Sequence, residues 1–245
     1  MNTSIFRAKA PAIERLFGRR KAVIGVIHSL PLPGSPHDEG ETVESIYRFA
    51  CEEAERYGAG GVDGLIVENH GDIPFARPDE LGPETVFVRV NQWANAYAAN
   101  EGFVEGKAGA ASRCRAGLRA RDIAIFTDVH VKHGAHAIVA DRTLAQLTQD
   151  VEFFDADAVI VTGQRTGDSA KLDELQTVSD ATKLPVLVGS GVNPDNVASI
   201  FDYADAVIVA SALKHGGSWW NPVDPARLAQ FMSVVRQVRQ THGVR

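Results

Sequence analysis

The segment Ile123–His133, IAIFTDVHVKH, carries the side chains of this chain that are best suited to chemistry. If the segment is a strand, alternate side chains lie on opposite faces. One face is then mostly apolar, and Asp128, His130 and Lys132 share the other. A carboxylate, an imidazole and an ammonium along one strand face are costly to bury unless they serve one another or a ligand. The pattern therefore predicts that this face is the wall of a site.

These three side chains suggest distinct roles. His130 could act as a general acid or base, because the pKa of a free imidazole, about 6.5, lies near working pH. Asp128 could orient that imidazole or hold a metal ion, and Lys132 could bind an anionic substrate or, if desolvated, form a Schiff base. The alternative is an internal ion pair that fills a layer of a barrel. The charges lie toward the carboxyl end of the predicted strand, where barrel sites are found, and this position favours catalysis.

Two loops of small residues follow the last two predicted strands. The first is Gly189-Ser190-Gly191, which runs into a helix start at Asn193-Pro194, and the second includes Ser211-Ala212. Barrels commonly bind phosphate with these two loops, because glycines allow the backbone N–H groups to approach an anion closely. The loops therefore predict a phosphate site; the alternative is that the glycines only turn the chain. Arg165 and Lys214 could also touch an anion, although a solvated loop charge is the default interpretation.

Polar side chains end other predicted strands. His28 ends the first strand, Glu68 and Asn69 end the second, and Asn91 ends the third. Each alone could be a hydrogen-bonded strand end, but together they indicate a shared site. We expect Glu68 to join Asp128 in proton transfer, and His28, Asn69 and Asn91 to contact the substrate. The metal requirement and the cofactor are left open.

Strand-like and helix-like segments alternate along the chain, which predicts a parallel sheet with helical crossovers. The predicted strands are Ala22–His28, Val62–Glu68, Phe87–Asn91, Ile123–Lys132, Asp157–Val161, Pro185–Val188 and Ala206–Val209. The predicted helices are Thr42–Tyr57, Val104–Ala120, Thr143–Phe154, Lys171–Ala181, Pro194–Phe201 and Pro225–Val238. A TIM-type (β/α) barrel fits best, and a doubly wound open sheet is the alternative. Seven strands are recognisable where a closed barrel has eight.

The length, net charge and composition of the chain limit its possible domain organisation and partners. The 245 residues suit one barrel domain over 21–245 after an N-terminal extension over 1–20, which we interpret as a short solvated helix. A net charge of −6 argues against a nucleic-acid partner. With no long apolar run and no secretory signal, we expect a cytoplasmic protein, free or peripheral to a membrane. Cys51 and Cys114 are interpreted as free thiols.

Five motifs together resemble the BtpA family over Lys21 to Arg227, a family that includes SgcQ-like proteins. They are IHSLPLPGSP, GVDGLIVENHGDIPF, TDVHVKH, VGSGVNPDNV and NPVDPAR. The residues that match the family pattern are His28, Pro31, Pro33, Gly34, Glu68, Asn69, Gly71, Asp72, Asp128, His130, Lys132, His133, Gly189, Ser190 and Gly191. Ser29 departs from it, because an apolar residue is usual there, and so does His70, where an aromatic residue is usual.

The resemblance also explains why the alternation of strands and helices breaks after the second predicted strand. Glu84-Thr85-Val86 runs straight into the third predicted strand, whereas family members have a helix, a strand and another helix between these points. One unit is therefore expected to be missing after the second strand, which would leave strand edges unpaired. The resemblance implies a phosphate-binding barrel ancestry and a role in the biogenesis of photosystem I or another membrane complex.

Three hypotheses about function follow. The first is a binder of a phosphorylated small molecule, or a lyase or isomerase that acts on a sugar phosphate or a similar metabolite; the reaction class rests on analogy with other barrels. The second is an assembly factor that docks on a membrane-complex subunit. The third is a non-functional truncated paralogue. A homo-oligomer is compatible with all three.

Overall fold

A computed structural model describes residues 11–74, 96–98, 102–104, 106–120, 122–165 and 167–243. Its strands are β1 (Ala22–His28), β2 (Gly64–Glu68), β3 (Ala96–Ala98), β4 (Gly102–Val104), β5 (Phe126–Asp128), β6 (Gly134–Ala135), β7 (Ala158–Thr162), β8 (Val186–Gly189) and β9 (Ala206–Val209). Its α-helices are α1 (Ala12–Phe17), α2 (Val43–Gly60), α3 (Ala108–Gly117), α4 (Leu144–Phe153), α5 (Leu172–Ala181), α6 (Val197–Phe201) and α7 (Pro225–Thr241).

Six parallel strands form one curled sheet in the order β2-β1-β9-β8-β7-β5. The strands follow one another in sequence order, and the last strand closes back on the first. A doubly wound sheet would reverse its order at a switch point, so this topology confirms the barrel prediction and excludes the open-sheet alternative. The predicted strand Phe87–Asn91 lies outside the described residues. Among the described strands, β2 and β5 each have one neighbour, so the barrel is incomplete between them.

The predicted strand over Ile123–Lys132 is much shorter in the structure. Only Phe126–Asp128 pairs with β7, and the chain then turns, with a positive φ of 61° at His133. The apolar side still packs as predicted, because Ile125, Thr127 and Val129 are buried. Ile123 is exposed, since it precedes the paired residues. A small antiparallel sheet, β4-β3-β6, was not predicted from the sequence.

Alternate residues of the strands belong to two separate hydrophobic cores. Those that face the barrel axis pack together, and the cluster consists of Ala22, Ile24, Ala158, Ile160, Leu187, Ala206 and Ile13. The residues between them, such as Val23 and Val207, face the helices and join the larger outer core. Ile13 belongs to α1 and is completely buried, so this helix covers the amino-terminal end of the barrel. The interpretation of α1 as a solvated helix is therefore wrong; the missing information was a tertiary contact.

Three aspartates fasten the amino-terminal end of the sheet. Asp63, Asp157 and Asp205 each stand directly before a strand, and each accepts a hydrogen bond from the backbone of a neighbouring segment. The donors are Val23 N at 2.8 Å, Ile125 N at 2.9 Å and Val186 N at 3.0 Å. Each carboxylate also pairs with an arginine, and these partners are Arg239, Arg115 and Arg20. The charged residues at this end therefore connect neighbouring segments of the sheet.

The outer face of β2 is not covered by the described chain. Leu65 and Val67 lie beside Gly25 and Ile27 of β1 in the parallel register, and therefore point outward. They are 42% and 63% exposed, whereas Ile27 is buried. A complete barrel would place a helix over this face. The exposure matches the expected loss of a unit after β2.

The crossovers between strands are short amphipathic helices. Thr143 caps α4 through a capping box with Gln146, and Asp224 caps α7 by accepting from the backbone of Ala226 and Arg227. The two longest helices, α2 and α7, pack against each other. Within the described ranges, no helix has the length and apolar composition that a membrane crossing requires.

Candidate functional site

The carboxyl ends of β1 and β2 bring a histidine and a glutamate together. The register of the two strands places His28 beside Glu68, and their side chains face each other with 3.8 Å between Nε2 and Oε2. On its other side, His28 donates from Nδ1 to the carbonyl oxygen of Trp219 at 2.8 Å. The strand-end prediction for these two residues thus corresponds to a direct side-chain relationship.

His70 and Trp219 complete this cluster. His70 lies in a 3-10 turn, His70–Asp72, directly after β2, and its Nδ1 is 3.8 Å from Oε2 of Glu68. Its ring packs edge-on against Trp219, with 4.3 Å between centroids, and lies 5.0 Å from the ring of His28. The indole therefore forms one wall around the two imidazoles. Neither residue was predicted from the sequence to be a site residue, although His70 stands two positions after Glu68.

Burial and charge set the protonation of this cluster. Burial lowers the pKa of His28 to about 4, although Glu68 and the Trp219 carbonyl favour its protonated form. Burial opposes ionisation of Glu68, but the side chain of His70 and the charges of His28 and Lys132 outweigh it and lower the pKa of Glu68. At neutral pH the pair is therefore a neutral imidazole beside a carboxylate.

The charges of Asp128 and Lys132 act on the same cluster. Burial raises the pKa of Asp128 to about 7; Lys132 opposes this shift and Glu68 adds to it. Both Asp128 and Lys132 therefore lie close enough to Glu68 to interact with its charge. Three of the four residues predicted to be catalytic, Glu68, Asp128 and Lys132, therefore interact through their charges. An acid with a pKa near 7 exchanges protons readily at physiological pH.

His130 is directed elsewhere. Its ring stacks on that of His136 at 4.5 Å, and Glu174 of α5 is the charge that acts on it. Burial lowers the pKa of both imidazoles. Since β5 ends at Asp128, strand alternation does not continue to His130. The structure therefore separates His130 from the Glu68 cluster, and it pairs His130 with a histidine that the sequence analysis had not singled out.

The loop after β8 has an unusual backbone. Ser190 and Gly191 have consecutive positive φ values of 68° and 65°. A Cβ on Gly191 would lie 2.4 Å from the backbone nitrogen of Ser169, so only glycine fits there. The carbonyl oxygen of Gly191 accepts from Ser169 Oγ and from Asn196 Nδ2, each at 2.9 Å. Asn193 closes a turn before α6 rather than capping the helix directly.

The loop after β9 contains a 3-10 turn, Ser211–Leu213, and its Ala212 carbonyl accepts from Arg227 Nε at 2.9 Å. Lys214 follows but does not point into solvent. It is buried in an ion pair with Glu53 of α2. The default interpretation of Lys214 as a solvated loop charge is therefore wrong, and its charge is already neutralised.

Asn69 and Asn91 were also predicted to contact the substrate, and only Asn69 lies within the described residues. The Asn69 amide donates from Nδ2 to Asp72 Oδ2 at 3.1 Å, within the turn after β2. Asp72 in turn accepts from the backbone of Leu32 at 2.8 Å and so ties the proline-rich loop after β1 to this turn. Asn91 lies outside the described residues.

Comparison with known proteins identifies the family. The model of the BtpA family matches residues 19–86 and 81–237. The chain belongs to the BtpA family. Its similarity to the Synechocystis photosystem I biogenesis protein BtpA is 33% identity over 262 positions, which cover 90% of each chain. An uncharacterised mitochondrial protein of Caenorhabditis elegans is 34% identical over 266 positions, which cover 90% of this chain and 95% of the relative.

These alignments also locate the missing unit of this BtpA-family chain. The alignment to the nematode relative spans 266 positions, which is more than the 245 residues of this chain. Only 90% of the residues of this chain take part in it. The relative therefore has residues without a counterpart in this chain. The family match divides into two segments that overlap at 81–86, where the alternation of strands and helices in the sequence also breaks. Both observations agree with the gap between β2 and β5.

Solved structures with the same fold are barrel enzymes. The (S)-3-O-geranylgeranylglyceryl phosphate synthase from Thermoplasma acidophilum, solved with its substrate sn-glycerol-1-phosphate, has a TM-score of 0.56 at 13% identity. The similarity covers 92% of this chain and 97% of that one. A related structure from Thermoplasma volcanium gives 0.52 at 15% identity, covering 93% and 94%. At such identities the similarity supports the fold of this BtpA-family member.

Proposed function

We propose that this BtpA-family protein binds a phosphorylated small molecule at the carboxyl ends of its strands. The observation that carries the proposal is the consecutive positive φ at Ser190 and Gly191, directly after β8. Glycine-containing turns at the carboxyl end of a strand can present backbone N–H groups to an anion. The Thermoplasma acidophilum enzyme, which shares the fold, is titled as a complex with a glycerol phosphate.

The second small-residue loop lies beside the first in the sheet. β8 and β9 are neighbours, so Gly189, at the end of β8, and Ser211-Ala212, just after β9, are at the same end of adjacent strands. Barrels use this pair of loops for phosphate. Lys214 is already paired with Glu53, so we assign phosphate binding to backbone N–H groups and not to this side chain.

The reacting part of the ligand would face the polar cluster on the other strands. Asp128, with a pKa near 7, would exchange a proton with the ligand, and Glu68 would act as the ionised partner. Lys132 would hold a negative group of the substrate. His28 would contact the ligand beside Glu68, and His130 would take a peripheral role because it faces His136. These groups suit a lyase or isomerase that moves a proton on a phosphorylated metabolite.

Calorimetric titration of the purified protein tests the phosphate site. The probes are glycerol phosphate, ribose 5-phosphate, a hexose bisphosphate and inorganic phosphate, each paired with its unphosphorylated form where one exists. We expect at least one phosphorylated probe to bind and its unphosphorylated form not to bind. The absence of binding by every phosphorylated probe would overturn the proposal.

A matched pair of variants at one position locates the site. Ser190→Asp adds a negative charge to the loop, whereas Ser190→Asn has nearly the same shape and tolerates a positive φ. We expect the aspartate variant to lose at least tenfold in affinity and the asparagine variant to stay within about threefold of the natural protein. Equal affinities of the two variants would place the phosphate elsewhere.

A second candidate function is an assembly role, and the observation that favours it is the name of the Synechocystis relative, a photosystem I biogenesis protein. Expression of this chain in a Synechocystis strain that lacks that protein tests it directly. Restored photosystem I accumulation would support the assembly role. Unchanged accumulation, with the chain present at normal levels, would remove it.

A further inference from the structure

We propose that His28, Glu68 and His70 form a binding site for one divalent transition-metal ion of the zinc class. One ligand atom from each residue lies within 4.8 Å of the other two. Oε2 of Glu68 is 3.8 Å from Nε2 of His28 and 3.8 Å from Nδ1 of His70. The proposal does not depend on whether a phosphorylated molecule binds after β8.

The orientation of His28 is the first argument. The Trp219 carbonyl can only accept a hydrogen bond, so the contact of 2.8 Å places a proton on Nδ1 of His28. In the neutral ring, Nε2 then carries a lone pair, and that atom is the one that faces Glu68. Histidines that bind metals characteristically donate their other ring nitrogen to a carbonyl or carboxylate in this way.

The separations are the second argument. Oε2 of Glu68 lies 3.8 Å from Nε2 of His28 and 3.8 Å from Nδ1 of His70. Zinc binds nitrogen and oxygen at roughly 2.0–2.2 Å, so two ligands of one tetrahedral ion lie about 3.3–3.5 Å apart. The two glutamate–histidine separations exceed this by only a few tenths of an ångström. Small rotations of the partly exposed Glu68 side chain would therefore bring the ligands to an ion.

The donor set indicates the class of ion. Two imidazoles and one carboxylate suit zinc and other first-row transition metals, whereas magnesium and calcium prefer oxygen ligands. The Glu68 side chain is 40% exposed, so an ion can reach the cluster and keep a position for water or substrate. Trp219 packs against both rings and limits their movement. Three protein ligands with one open position are typical of catalytic zinc sites.

Metal binding by the full chain tests the proposal. Protein treated with a chelator and dialysed is titrated with ZnCl₂ by calorimetry, and bound metal is counted by elemental analysis after gel filtration. Co²⁺ serves as a spectroscopic probe, because its visible absorption reports the coordination geometry. We expect about one Zn²⁺ per chain, with a tetrahedral or five-coordinate Co²⁺ spectrum, and binding of Mg²⁺ at least 100-fold weaker.

Variants identify the ligands. Glu68→Gln, His28→Ala and His70→Ala should each lose at least tenfold in Zn²⁺ affinity. His130→Ala and His136→Ala are the controls, because these two histidines stack on each other outside the cluster. Glu68→Gln keeps the size of the side chain, and its thermal unfolding confirms that any loss is not a loss of fold. Failure of the natural protein to bind Zn²⁺, or equal losses in the control variants, would overturn the proposal.

Discussion

Lys214 and Glu53 form a buried ion pair, with 3.1 Å between Nζ and Oε2 and exposed fractions of 1% and 0% for their side chains. Glu53 also accepts from the backbone nitrogen of Val223 at 3.1 Å and from Arg56 at 2.6 Å. One carboxylate on α2 therefore anchors both ends of the segment that carries Trp219. The position of the indole beside His28 depends on a residue that is not itself in the site.

Glu53→Gln should lower the free energy of unfolding by about 3–5 kcal/mol, because it leaves Lys214 buried without its counter-charge. Glu52→Gln is the control: its side chain is on the same helix but is 52% exposed. Urea denaturation of both variants measures the difference. A cost for Glu53→Gln below about 1 kcal/mol would show that the pair does not hold this segment.

The pH dependence of stability should report Asp128. Its pKa is about 7 in the folded chain, against a value near 3.9 when unfolded. Between these pH values the folded chain holds the additional proton, so this group makes stability fall as pH rises from about 4 to 7. Asp128→Asn should therefore gain a few kcal/mol relative to the natural protein at pH 8 but not at pH 4. Urea unfolding at pH 4, 6 and 8 measures this, with exposed Asp141→Asn as the control.

His28 should have the opposite effect. Its pKa is about 4 when folded and about 6.5 when unfolded, so the unfolded chain holds the additional proton between these values. The stability that it contributes is present above pH 6.5 and is lost as pH falls toward 4. In the Asp128→Asn background, stability should rise from pH 4 to 6.5, and His28→Gln should flatten that rise. An unchanged slope in the double variant would contradict the assignment.

The same Val→Thr substitution in two strands tests whether the outer face of β2 is uncovered, as expected for an incomplete barrel. Val67 and Val207 both point outward, but Val67 is 63% exposed and Val207 is buried. Val67→Thr should change stability by less than about 0.5 kcal/mol, whereas Val207→Thr should cost about 1–3 kcal/mol because a hydroxyl enters the core. Thermal unfolding compares the two. Equal costs would mean that the outer face of β2 is covered in solution.

Gly191 and Gly34 form another matched pair, since both have positive φ, of 65° and 84°. An added Cβ meets no atom within 4 Å at Gly34, but it collides with the backbone of Asp168 and Ser169 at Gly191. Gly34→Ala should cost about 1–2 kcal/mol through backbone strain alone. Gly191→Ala should cost clearly more and should also distort the loop after β8. Melting temperatures of the two variants give the comparison.

A cooperative thermal transition would argue against a truncated, non-functional chain. The sheet from β2 to β5 is continuous and covers a single inner core, so calorimetry should show one transition. A broad melt without a heat-absorption peak would instead support the truncated-paralogue hypothesis.

Local sequence patterns predicted most of the strands and helices. The features that they did not predict depend on tertiary contacts. The strands that contain His28 and Glu68 were visible in the sequence because apolar runs end at polar residues. The position of Trp219 could not be predicted, because nothing local shows that its carbonyl meets a residue 191 positions away. Lys214 was missed for the same reason.

The region around Asp128 shows a different limit. Alternation of side chains holds only where the backbone pairs with a neighbour, and β5 pairs over three residues. His130 and Lys132 follow that strand, so alternation does not predict their directions, and His130 stacks on His136 instead. The missing unit, in contrast, was predictable because a parallel crossover needs a dozen or more residues, usually including a helix.

The pairing of β1 with β9 has a consequence for synthesis of the chain. Ala22 lies beside Ala206 in the register, so β1 gains one of its two neighbours only after more than 180 further residues have been made. Contacts between such distant segments slow folding. One edge of β1 stays unpaired until β9 has been made, and the nascent protein is exposed to wrong strand pairing during that interval.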